Sequence, residues 1–117
     1  MLVLLRFRVN GGGIDAFLDR ARTAVEVLGA RPGFIRGQVG RALDDAALFT
    51  IELEFDQVGS YRRALSSYEV KMHAVHLLSQ AIDEPSAFEV LHERTAAGAV
   101  DSPSSLAPDH DTFGVGQ

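Results

Sequence analysis

Cysteine is absent from this chain, and lysine occurs once, at Lys71. The first absence excludes disulfide staples, thiolate metal sites and a cysteine nucleophile together. The scarcity of lysine, with a net charge of −5, leaves no basic stripe to hold a phosphate backbone, so nucleic acid is not an expected partner. Long apolar runs are missing too. The opening Met1-Leu2-Val3-Leu4-Leu5 is cut by Arg6 and Arg8, which is too short for a membrane span or signal core and lacks a basic leader. A cytoplasmic protein with no membrane partner is the expectation. Gly11-Gly12-Gly13 is glycine-rich, but neither a GxGxxG nor a GK[ST] pattern surrounds it, so it reads as a connector. No nucleophile elbow and no Ser/His/Asp arrangement of recognisable spacing occurs.

What is present is the pattern of one folded domain. Hydrophobic residues make up 46% of 117 residues against 23% charged, enough for a core and too apolar for a disordered chain. The clearest element is Leu48 to Phe55. Phe49, Ile51, Leu53 and Phe55 fall on one side, and Leu48, Thr50, Glu52 and Glu54 on the other. Such a strand sits centrally, with helices on its oily face and something else on its acidic one.

Leu2 to Val9 alternates in the same way, with Val3, Leu5, Phe7 and Val9 on one side. Ile14, Phe17, Leu18, Ala21, Val25 and Leu28 then follow helical spacing, and Pro32-Gly33 stops the helix. Phe34 to Leu43 is a strand thinned by Gly37 and Gly40, joined to the next through Asp44-Asp45. Tyr61, Ala64, Leu65 and Tyr68 mark a second helix that breaks at Ser66-Ser67, with Ser67 placed to cap a further piece from about Val70 to Ile82. Ala87 to Glu93 reads as a fourth strand. From Thr95 onward Ala, Gly, Ser, Pro and Asp dominate without periodicity.

The expected division is a domain over residues 1–94 and an extended or flexible tail over 95–117, an arm able to lie on another subunit. The order β-α-β-β-α-β gives an α+β, ferredoxin-like fold: an antiparallel sheet of order 4-1-3-2 with both helices on one face. Arg6 and Arg8 then share the other face with Glu52 and Glu54, where opposite charges could pair across strands. A homodimer through that face would cover it.

On the helix side, Leu5, Phe7, Phe55, Tyr61, Tyr68, His73 and His76 could line a largely apolar cleft with a few polar tips. His73 and His76 are three apart on a helix. Metal binding would need a third ligand that the spacing does not supply, so no metal is assigned. A histidine acting as general base suits proton removal from a phenolic or enolisable compound, with a tyrosine holding the resulting oxyanion.

Arg31-Pro32-Gly33-Phe34, Leu43-Asp44-Asp45, Ile51-Glu52-Leu53-Glu54-Phe55 and the helix opening at Ser60-Tyr61 together resemble the antibiotic biosynthesis monooxygenase family of dimeric α+β-barrel proteins, over about residues 2–93. The resemblance implies a homodimer whose sheets form a shared barrel, with a pocket in each subunit between sheet and helices. Some members of that family oxidise aromatic polyketides with molecular oxygen and no metal or flavin. Others degrade haem with a histidine on the second helical region, a tryptophan ending the third strand and an asparagine on the first. In this sequence His76 falls near that histidine, Phe55 stands in the tryptophan position, and Leu5 lies about at the asparagine. The expected function is a cofactor-independent monooxygenase of an aromatic or polyketide-like substrate, with His76 as base, Tyr68 assisting, and Leu5, Phe7, Phe55, Tyr61 and His73 around the substrate. A non-catalytic small-molecule-binding or accessory dimer is the alternative, and haem degradation ranks behind both.

Overall fold

Alternation in the sequence becomes a two-faced sheet in the computed structural model, which describes residues 1–106. Strand β1 (Leu2–Arg8) lies antiparallel to β3 (Leu48–Phe55), and β3 to β2 (Phe34–Arg41), while the short β4 (Ala87–Phe88) adds to the free edge of β1. The order β2-β3-β1-β4 is the 4-1-3-2 sheet expected from the sequence. Val3, Leu5 and Phe7 of β1 and Phe49, Ile51, Leu53 and Phe55 of β3 are all buried on one face.

Helix α1 (Ile14–Gly29) covers that face with Phe17, Ala21, Ala24 and Leu28. Ala24 is absent from the expected stripe, although it lies one turn after Ala21 on the same side of the helix. The second helical region is α2 (Val58–Ser66), α3 (Tyr68–His73) and α4 (Val75–Leu78), burying Ala64, Val70 and Leu77 in the same core. Its first break falls at Ser67, as the sequence suggests, with Ser67 in an extended conformation. Ser67 takes the N-cap position of α3, but its side chain makes no capping bond. Its Oγ donates backward to the Ala64 carbonyl at 2.7 Å, a local alternative that serine readily takes. A second break at Ala74, unforeseen in the sequence, separates His73 from His76.

Two further expectations are corrected. Arg6 and Arg8 do not pair with Glu52 and Glu54, because the register places Arg6 opposite Thr50 and Arg8 opposite Leu48. Arg6 instead forms a two-pronged ion pair with Glu84 at 2.8 Å, and Arg8 donates to Asp45 at 2.9 Å. Glu54 pairs with Arg36 on β2, and Glu52 accepts from Gln38 and Thr50. The fourth strand is also shorter than Ala87 to Glu93. Ile82 and Ser86 already bond the β1 main chain, through Ile82 N–H to Arg6 O at 2.8 Å and Leu4 N–H to Ser86 O at 2.7 Å. Only Ala87 and Phe88 then pair as strand.

Beyond Phe88 the chain turns away. β5 (His92–Thr95) and β6 (Gly98–Asp101) form a hairpin of their own across position 95. The part of the expected tail that follows residue 106 lies outside the described residues. Among the described residues, no helix is long and apolar enough to cross a membrane.

Candidate functional site

The seven residues expected around a helix-side cleft separate into two groups. Leu5, Phe7 and Phe55 lie in the closed core, Phe55 at 0% exposure. The Phe55 ring meets Phe34 and Tyr61, each with centroids 5.4 Å away, and burial pushes the half-buried Tyr61 phenol upward in pKa. At the opposite end of the sheet Phe7 packs on Phe17 at 5.1 Å, and Phe17 on Phe49 at 5.2 Å. Aromatic rings thus fill the space between sheet and helices.

Tyr68, 71% exposed, lies outside this core, as do the exposed His73 and His76. His73 Nε2 stands 3.5 Å from Glu69 Oε2, one helical turn earlier. His76 Nε2 is 3.4 Å from the Gln80 side-chain nitrogen. Among the described residues, no three of His, Asp and Glu come together as a metal-binding group.

Among the open clefts that flank the filled core, two bear on the expected site residues. One, of about 520 Å³, lies where β1 gives way to α1. Its shape follows from local sequence. Asn10 is extended and ends the strand; Gly11–Gly13 make a single tight turn, closed by Gly13 N–H to Asn10 O at 2.8 Å; Ile14 then starts the helix. Beneath the glycine turn the buried Phe7 and Phe17 form the floor of the cleft, with Leu77 of α4 as a third apolar wall. Around them stand Arg8, Asn10, Arg20 and Gln80. Phe7 is the expected site residue that lines this cleft; His76 does not line it, but neighbours Gln80, which does. Arg20, Gln80 and Phe17 escaped the sequence reading. Arg20 was within reach, since it follows Phe17 by three positions and so shares its side of the helix.

The other cleft, about 1030 Å³, lies at the far end of the sheet between the β3 exit and the C-terminal segment. Phe55, Ile35, Val58, Phe88 and Val100 line it together with four carboxylates, Glu54, Asp56, Glu89 and Glu93, against one arginine, Arg62.

Comparison with known proteins bears on what such clefts could serve. A family model described as antibiotic biosynthesis monooxygenase matches residues 1–74. None of the curated proteins matches the sequence. A conserved protein from Methanosarcina mazei Go1 superposes with a TM-score of 0.61 at 21% identity, covering 74% of this chain and 84% of that one. A variant of SnoaB, a cofactor-independent oxygenase from Streptomyces nogalater, superposes at 0.59 and 22% identity, covering 69% and 82%. PA3566 from Pseudomonas aeruginosa does so at 0.56 and 12%, covering 71% and 83%. At these identities the likeness establishes the fold.

Proposed function

Because the chain belongs to the antibiotic biosynthesis monooxygenase family, we propose that it is a cofactor-independent monooxygenase that oxidises an aromatic, polyketide-like molecule with O2. The reaction site is the cleft at the β1–α1 junction. The observation that carries the reading is an aromatic floor, Phe7 and Phe17, in a cleft lined by Gln80, whose side-chain nitrogen lies 3.4 Å from His76 Nε2. The shared fold of SnoaB, itself a cofactor-independent oxygenase, supports it.

The substrate supplies every electron. His76 takes a proton from a carbon flanked by an aromatic carbonyl, leaving an enolate. The enolate passes one electron to O2, the two radicals join as a carbon hydroperoxide, and loss of water leaves a new carbonyl. The balance is CH2 plus O2 to C=O plus H2O. Gln80, which lines the cleft, is the donor assigned to the developing oxyanion.

Oxygen uptake with a panel of anthrones and quinols tests this. His76→Ala lowers the rate by about 10²-fold or more if His76 is the base, while Tyr68→Phe reports whether the exposed phenol assists. Equal rates for wild type and His76→Ala remove His76 from the mechanism.

One observation favours a second reading, a non-catalytic binding or accessory protein. Leu5 and Phe55 occupy the space between sheet and helices that a buried reaction chamber would need. Binding of the same panel without oxygen uptake decides for it. In either reading we propose a homodimer through the helix-free face of the sheet.

A further inference from the structure

Charge is distributed unevenly between the two clefts. The protein as a whole carries −5, and its larger cleft is ringed by four carboxylates. Among the described residues, the cleft at the β1–α1 junction is lined by no acidic residue and by two arginines. These arginines are not equivalent. Arg8 is held by Asp45 at 2.9 Å, a contact that lowers the Asp45 pKa. Arg20 has no ion-pair or hydrogen-bond partner among the described residues; Asp19, beside it in sequence, turns to Arg22 at 3.5 Å. An uncommitted guanidinium in a cleft floored by two aromatic residues suits a molecule with a flat apolar body and an acidic end.

We infer that this cleft selects aromatic molecules bearing a carboxylate, with the ring against Phe7 and Phe17 and the carboxylate on Arg20. The inference rests on the proposed location of the substrate site but not on turnover there. It adds a substrate class: the acidic group is distinct from the reacting position, and it orients the ring relative to Gln80 and the neighbouring His76. The local excess of positive charge in an acidic protein also draws anions to this end of the sheet and away from the other.

The test is equilibrium binding of anthracene-2-carboxylate and its uncharged primary amide, followed by ligand fluorescence at low salt. Wild type should bind the acid about tenfold more tightly than the amide, between the values of an exposed ion pair and a desolvated charged hydrogen bond. Arg20→Gln should abolish that preference and leave amide affinity unchanged; Arg20→Lys should restore part of it. Arg20 is exposed on α1, so these variants fold. Ala16→Phe, which fills the cleft from its rim, should weaken both ligands. Equal binding of acid and amide by wild type overturns the inference, and so does a preference that survives Arg20→Gln. Loss of neither ligand in Ala16→Phe places binding elsewhere and overturns it as well. Acid-selective binding, together with no oxygen uptake on the anthrone and quinol panel, upholds it while refuting the oxygenase reading.

Discussion

Gly33 shows how much one residue can fix. Its φ of +88° is a conformation that side chains resist, and a Cβ there would lie 2.5 Å from Ser60 Cβ and Oγ and 2.6 Å from Asp56 Oδ1. The surroundings cannot yield easily. Ser60 is buried and donates to Asp56 at 2.6 Å, and Asp56 N–H bonds the Gly33 carbonyl at 2.8 Å, tying the end of α1 to the exit of β3. Gly33→Ala should therefore destabilise by about 2 kcal/mol or more in urea titration. Gly12→Ala is the control, because a Cβ there meets nothing within 4 Å. Its cost should stay below about 0.5 kcal/mol. The Pro32-Gly33 pair was legible as a helix stop, since both residues act through their own backbone. The role of Ser60 was not: it depends on two segments 27 positions apart meeting in space. The site residues divide for the same reason. Phe7 and Phe55 were legible as apolar strand positions, but a strand pattern does not say whether an aromatic ring closes a core or floors a cleft.

Among the elements, the edge of β1 departs furthest from the sequence pattern. Hydrophobic alternation identified β1 and β3 nearly to the residue, whereas residues 82–86 are held by two main-chain bonds and the Arg6–Glu84 pair, none of which leaves a periodic trace. The β5–β6 hairpin escaped notice for a related reason. Its strand residues are exposed apart from Gly98, so no face is distinguished, and Gly98 turns at φ +140°. The Glu84 pair makes this edge sensitive to acid. Arg6 hydrogen-bonds Glu84 and holds its carboxyl below the ordinary range. A carboxylate lowered in the folded state contributes stability that is present above its unfolded pKa, about 4.3, and lost as pH falls through the folded value. Asp45, lowered by Arg8, and Glu89, lowered by Ser104 and Ser105, act in the same direction. Melting temperature should therefore fall as pH drops below about 4.5. Glu84→Gln should flatten part of that decline while leaving the curve above pH 6 only slightly lower, since an exposed pair contributes modestly. A curve for Glu84→Gln parallel to wild type throughout would show that the pair does not anchor this edge.

In the whole molecule, a sheet roofed on one side leaves its other side to be accounted for. Leu2 is 38% exposed and Leu4 half-buried on that face, set among the Arg36–Glu54 pair and the Gln38–Glu52 hydrogen bond. Two copies related by a two-fold axis would cover the leucines and present paired charges to one another. Sedimentation equilibrium should then give twice the chain mass, and Leu4→Lys should halve it. The choice of lysine matters. Leu4 lies opposite Glu52 in the β1–β3 register, so the new ammonium has an anion within its own subunit and the fold is preserved, while the apolar contact between subunits is lost. A wild type that sediments as a single chain refutes the dimer. The same variant also asks whether the candidate site needs a partner. The β1–α1 cleft opens where β1 meets the helix layer and is walled by residues of β1, α1 and α4. A Leu4→Lys monomer that still prefers the anthracene acid over its amide would show that one chain builds the whole site. Loss of that preference, with Arg20 intact and the circular dichroism unchanged, would show that the dimer holds the β1–α1 junction in shape across the thickness of the sheet.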